Sequence, residues 1–240
     1  MGGAGGETAL QCLCTADIGV DVGRTVYTGM LNDRGTYESD VTVTRTAADE
    51  FLIVSSAATT ERDQDHIRRN LPAGVNAHLV DITSALAVFG VMGPRSRDLL
   101  AVLTDADLAD AAFPFGTSRR ISLGYATVRA TRLTYVAELG WELYVPAEFA
   151  VGVYEDLLAA GQALGVVRGG YYAIESLRLE KGYRAFGREL TPGDGPVEAG
   201  QLFTCKLGTD IDFLGRAAVE QARAHGPRRR LVGFAVSSPE

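Results

Sequence analysis

After Gly35 the chain alternates apolar and polar side chains through the run TYESDVTVTR. Val41 and Val43 fall on one face and Asp40, Thr42 and Thr44 on the other, because successive strand side chains point to opposite sides. The stretch from Leu31 predicts a strand, a tight turn at Arg34-Gly35 and a second strand over 39–45. Gly35 supplies the permissive backbone of the turn. Asp is disfavoured inside strands. Asp40 is therefore either an exposed strand-end residue or a carboxylate aimed into a polar pocket.

Helical periodicity predicts helices over 7–15, with Leu10, Leu13 and Cys14 on one face, and over 61–71. Thr59 or Thr60 is positioned to cap the second, Asp63 lies in its first turn, and residues 72–74 stop it. Further helices are predicted over Ser96–Leu103 and over 148–164, the latter with a stripe of Val151, Tyr154, Leu157, Leu158 and Gly161. Another covers 173–181, where Ile174, Leu177, Arg178 and Lys181 repeat at helical spacing and Gly182 ends the run. The last covers 216–224, entered through Phe213-Leu214-Gly215. Strands are predicted over 20–29, 51–55, 75–82, 85–92, 118–122, 126–135, 142–144 and 231–236. The last of these needs partners, so the chain is expected to continue in its parent.

Short turns join most strands and no regular βαβ beat appears, which favours an α+β fold with antiparallel sheets and packed helices. No G-x-G-x-x-G follows an early strand, and no P-loop, H-E-x-x-H or G-x-S-x-G is present. The 240 residues, 46% hydrophobic and 22% charged, suit one large domain or two small ones with a substantial core. The net charge of −7 and the lack of a basic stripe argue against a nucleic-acid partner. Arg228-Arg229-Arg230 reads as a solvated approach to the last strand. Cys12, Cys14 and Cys205 and three scattered histidines share no metal-ligand spacing, so no metal site is expected. No apolar run is long enough to span a bilayer, and no signal peptide is seen, so a cytoplasmic, reducing location is expected.

Residues 135–144, YVAELGWELY, concentrate aromatics and acids and hold the single Trp of the chain. Trp141 is expected in the core. Glu142 enters an otherwise apolar strand. It is either solvated or accepts a pair of N–H donors from a planar heterocycle, a task suited to a carboxylate with two acceptor oxygens. Tyr183 follows a charged helix end and either closes that end or offers a face for stacking. Tyr27 reads as a core residue or a ligand contact.

These stretches together resemble the folate-binding domain of the glycine-cleavage T-protein family, in the version found at the C-terminus of dimethylglycine and sarcosine dehydrogenases. The resemblance is carried by YTGMLN from Tyr27, Arg34-Gly35, Ser39 to Val43, MGPRSR from Met92, Phe113-Pro114-Phe115, residues 135–144, SLRLEKGY from Ser176 and DFLGR from Asp212. It implies a multi-lobed arrangement of antiparallel sheets with packed helices around a folate channel, here in a partial version. Residues 1–225 would form the folate-binding domain without its first strands, and 226–240 the start of a truncated barrel lobe.

The resemblance implies that Asp40 is the catalytic acidic residue facing the pterin and N10 region. Thr42 lies on the same face, Glu142 holds the pterin ring, Tyr135 lies near the reacting end, and Tyr27 and Tyr183 line the pocket. It implies tetrahydrofolate as cofactor, with no flavin site in this chain. It further implies a methylated amine such as sarcosine or dimethylglycine as one-carbon source, and a flavin-dependent dehydrogenase domain or subunit as a partner. The function implied is transfer of a methylene or aminomethyl group. The alternatives are a non-catalytic folate-binding module and the aminomethyltransferase of glycine cleavage. Two positions depart from the family pattern: Thr36 replaces a second Gly after Gly35, and Ala137 stands where Gly is usual. Ile174 stands where aminomethyltransferases carry Arg, which leans towards the dehydrogenase branch.

Overall fold

The computed structural model describes residues 1–237. In chain order the elements begin with α1 (Gly6–Leu13), β1 (Thr25–Leu31), β2 (Tyr37–Ala47), β3 (Glu50–Val54) and α2 (Thr60–Arg69). They continue with β4 (Leu86–Met92), α3 (Ser96–Leu103), β5 (Ser118–Leu123), β6 (Ala126–Thr131) and β7 (Gly140–Pro146). Then follow α4 (Ala150–Gly161), α5 (Tyr171–Lys181) and α6 (Arg216–His225). The fold is α+β, with its helices packed on antiparallel sheets.

The chain divides into two compact units. The first comprises Met1–Val22, Val26–Val80 and the described residues from Arg184 onward. Its sheet has the order β1-β2-β3. Along β2, Tyr37, Ser39, Val41 and Val43 are buried while Glu38, Asp40 and Thr42 are half-buried, so the alternation read from the sequence holds as far as Val43; Thr44, expected on the Asp40 face, is buried as well. Val41 and Val43 join Leu10, Leu13, Ile18, Met30, Phe51 and Ile67 in one core cluster. Tyr37 joins Leu31, Leu190, Phe213 and Val219 in a second.

The β1–β2 turn is built by Asn32. Its side-chain oxygen accepts from the backbone N–H of Arg34 and of Thr36, and its amide donates to Glu38 at 2.8 Å. Gly35 has φ +74, and a Cβ there would lie 3.0 Å from the Ala218 side chain and 3.1 Å from the Val219 nitrogen at the start of α6. Conformation and space both demand glycine here. Thr36, the departure from the family pattern, exchanges hydrogen bonds with the Asn32 side chain at 2.9 and 3.1 Å and so fastens the turn.

The second unit comprises Gly23–Thr25 and Asp81–Tyr183. Its sheet has the order β4-β7-β6-β5, with every pairing antiparallel. Trp141, Leu143 and Val145 of β7 project into a core with Leu99, Leu100, Phe113, Val128 and Leu157. The Trp141 ring meets Phe113 edge-on at 6.1 Å, a favoured aromatic geometry. Trp141 is the core residue expected.

Several expectations give way. Residues 75–82 form no strand: only His78 bridges, to Gly2, and Val80 and Ile82 stay exposed. Residues 231–236 also form no strand. Leu231 donates to the Glu198 carbonyl, but Val232, Phe234 and Val236 are exposed. In both runs the apolar residues were present but no neighbouring strand pairs with them, and pairing, not composition, makes a strand. The buried stripe of α4 is Val153, Leu157 and Gly161, whereas Val151 is 70% exposed. Thr59 sits at the N-cap of α2, yet its hydroxyl donates to Asp63 at 2.7 Å instead of accepting from the helix. β1 begins at Thr25, later than the expected start at 20, and β6 ends at Thr131, short of Tyr135. Pro239 and Glu240 lie outside the described residues. No helix among those described is long and apolar enough to cross a membrane.

Candidate functional site

Within the first unit, β1 and β2 present Tyr27 and Asp40 to one another. The Tyr27 hydroxyl donates to the Asp40 carboxylate at 2.9 Å. Thr42 lies two residues further along the same face of β2. Among the described residues its hydroxyl makes no side-chain hydrogen bond. Burial pushes the Asp40 carboxyl above the usual carboxylate range, and the charge of Asp63 on α2 adds to this, while the Tyr27 hydrogen bond opposes it.

Two residues that the sequence did not single out complete this group. The Tyr37 hydroxyl donates to Gln201 at 2.7 Å, and the Gln201 amide donates to the Tyr27 hydroxyl at 3.3 Å. Tyr37 owes its place to Gly29 on β1, where a Cβ would lie 2.7 Å from the tyrosine ring. Asp63, 3% exposed, has one carboxylate oxygen buried without a partner. No local pattern marks Gln201, which stands 174 residues from Tyr27 in a turn-rich connection.

Within the second unit, Glu142 occupies a central strand. It pairs with Gly90 of β4 on one side and Thr131 of β6 on the other. Cross-strand partners share a face, and the Met92 thioether lies over Gly90, 3.4 Å from where a Cβ would stand. One carboxylate oxygen of Glu142 accepts from the Tyr144 hydroxyl at 2.5 Å. Among the described residues the carboxylate takes no other side-chain hydrogen bond, so its remaining acceptor capacity is open to a ligand. Burial raises the Glu142 carboxyl above its ordinary value and the Tyr144 hydrogen bond opposes the rise.

Tyr135 and Tyr183 stack in the same unit, with ring centroids 6.1 Å apart and planes 14° from parallel. Tyr183 is held by the end of α5. Gly182 takes the left-handed conformation that closes the helix, the Tyr183 N–H bonds the Arg178 carbonyl at 3.0 Å, and the buried Arg178 guanidinium returns a bond to the Tyr183 carbonyl at 2.8 Å. Arg178 is thus the inward residue of α5, while Ile174 and Leu177 are each 42% exposed. The structure therefore groups Tyr27, Asp40 and Thr42 in one unit, and Tyr135 with Tyr183, and Glu142, in the other. Ala137, in the loop between Tyr135 and β7, has φ +69, the one positive value among described non-glycine residues. That conformation explains why glycine suits the position.

Each unit thus carries its own groups: a carboxylate steered by a phenol in the first, and a half-buried carboxylate and a stacked tyrosine pair in the second. The mouse (Mus musculus) protein named "Sarcosine dehydrogenase, mitochondrial" is 42% identical over 98% of this chain. An aminomethyltransferase of Geobacillus kaustophilus (strain HTA426) is 34% identical over 97% of the chain and 63% of its own length. The chain spans about a quarter of the length of the sarcosine dehydrogenase, 27%. The crystal structure of glycine cleavage system aminomethyltransferase T from Bartonella henselae shares the fold, with a TM-score of 0.81 at 24% identity over 94% of this chain and 60% of that one. The model of the family described as "GCVT N-terminal domain" matches residues 1–209, and the chain belongs to that family.

Proposed function

We propose that this chain is a tetrahydrofolate-dependent one-carbon transfer domain that captures a methylene group from a methylated amine such as sarcosine or dimethylglycine. The observation that carries the reading is the Asp40 carboxylate, steered by the Tyr27 hydroxyl at 2.9 Å beside the open hydroxyl of Thr42. The 42% identity to a sarcosine dehydrogenase, against 34% to an aminomethyltransferase, supports the dehydrogenase branch. Ile174, where aminomethyltransferases carry Arg, points the same way.

Tetrahydrofolate, when bound, supplies the N5 and N10 nitrogens that take up the one-carbon unit. Asp40 supplies negative charge and a proton acceptor on the face of β2. Its raised proton affinity, caused by burial, moves it towards the pH at which an acid–base group works. Glu142 offers its open oxygen to N–H donors of the pterin, and the half-buried Tyr135 and Tyr183 offer aromatic surface for the ring. Thr42 offers a hydroxyl next to Asp40. Holding donor and acceptor side by side, away from water, carries most of the rate. A flavin-dependent dehydrogenase domain or subunit would oxidise the amine and deliver the methylene group.

The test supplies formaldehyde and tetrahydrofolate to the chain and follows formation of the methylene-folate product, in the wild type and in Asp40→Asn. A folded Asp40→Asn protein that has lost most of its acceleration supports the reading. Equal rates in the two proteins remove Asp40 from the chemistry. Folate binding without acceleration in either would make the chain a folate-binding module.

A further inference from the structure

The geometry points to Gln201 as the positioning residue that commits the single hydroxyl proton of Tyr27 to Asp40. Tyr37, 1% exposed, donates its hydroxyl proton to Gln201 Oε1 at 2.7 Å. That bond takes up the oxygen end of the amide and turns Nε2 towards Tyr27, whose oxygen accepts at 3.3 Å. Gln201 is 5% exposed, so water has little access to substitute for either partner. Tyr27 has one proton to give. Its neighbour on the Gln201 side is already a donor, so the proton goes to Asp40 Oδ2, at 2.9 Å. The four residues form a chain in which every donor points the same way: Tyr37, Gln201, Tyr27, Asp40.

Asp40 is faced by Tyr27 from β1, by Asp63 from α2 and by the Tyr37–Gln201 pair. Asp63 opposes its ionisation, and the Tyr27 bond favours it. Tyr37 in turn feels Cys205, Asp40 and Arg184. The Asp40 carboxylate, which can only accept, and the Gln201 amide, which presents a donor, together set the direction of the Tyr27 hydroxyl. Reversing the amide would present Oε1 to Tyr27 and draw the proton off the carboxylate. The ionised state of Asp40 would then lose its charge-assisted donor.

The inference builds on the reading of Asp40 as the site carboxylate. Its test is a carbon-13 NMR titration of the Asp40 carboxyl in the intact, folate-free chain. Gln201→Glu, when ionised, replaces the amide donor by an acceptor but also adds a charge that raises a neighbouring carboxyl by repulsion. The neutral Tyr37→Phe, which removes the hydroxyl that fixes the amide, is therefore the deciding variant. Both are expected to raise the Asp40 midpoint, by about one pH unit for Gln201→Glu. A role in packing alone would leave the midpoint in place in Tyr37→Phe. Thermal melting reports whether each variant is folded. If Gln201→Glu does not fold, Tyr37→Phe decides alone, since it deletes a single oxygen. An unmoved midpoint in folded Tyr37→Phe overturns the inference. Because no folate is added, failure of the folate reading would show in ligand binding and leave this titration unaffected.

Discussion

The hydroxyl of Tyr27 and the carboxylate of Asp40 form a hydrogen bond of 2.9 Å across the neighbouring strands β1 and β2. Tyr27→Phe keeps the ring and removes the donor. The carboxylate then loses a charge-assisted bond, which is worth on the order of 1.5–3 kcal/mol. The expected result is a fall of about tenfold in the one-carbon transfer rate, taking the lower end of that range. Thermal melting should find the variant folded.

Asp40 and Glu142 both carry proton affinities raised by burial. A carboxyl whose folded pKa exceeds its unfolded value makes the folded state bind more protons. Stability therefore falls as pH rises through and beyond the unfolded value, 3.8 for Asp and 4.5 for Glu. Asp40→Asn and Glu142→Gln remove that penalty. Each is expected to melt a few degrees higher than wild type near pH 8, with the gap closing towards pH 4. Calorimetric melts across that range measure it. Greater stability combined with lost transfer is the signature of a group kept for function.

Lys206 is 6% exposed and ties the C-terminal segment of the first unit to the end of α1. Its Nζ donates to the Gln11 carbonyl at 2.6 Å, to Gln11 Oε1 and the Cys14 carbonyl at 2.8 Å, and to the Ala16 carbonyl at 3.2 Å. These acceptors cluster at a helix C-terminus, where a cation is favourable. Lys206→Met removes the donor from all of them, leaving Gln11 Oε1 only the Ile18 N–H at 3.3 Å, and should cost about 3 kcal/mol, read from urea unfolding. Burial lowers the amine from 10.5 to about 8. Between those values the unfolded chain binds more protons, so wild-type stability should rise with pH in that window. Lys206→Met should lack the rise.

Ala137 bears the left-handed backbone at φ +69 and is exposed. Relief of that strain in Ala137→Gly is offset in part by the added freedom of the unfolded chain. A net gain of about 0.5 kcal/mol is expected in chemical denaturation.

Much of the site could be read from the polymer because its parts are local. The face shared by Asp40 and Thr42 follows from a period of two, and Gly182 marks the end of α5 that holds Tyr183. The α+β class and the family resemblance followed from such local blocks. The relay from Tyr37 through Gln201 was not legible, because it joins residues 174 positions apart and neither type is unusual where it stands. The phase of α4 was misjudged by the pull of Val151 and Tyr154, apolar residues that the fold leaves exposed or partly exposed. Residues 75–82 and 231–236 had strand composition without strand partners, a property of the neighbourhood that no single segment encodes.

The proposed function requires that this chain bind a reduced folate. Isothermal titration of tetrahydrofolate into the wild-type chain, Asp40→Asn and Glu142→Gln tests it most directly. The account predicts saturable binding by the wild type, weakened at least tenfold in Glu142→Gln and measurably in Asp40→Asn. Absence of heat and of any thermal shift in the folded wild type, or equal affinity in all three proteins, would contradict it.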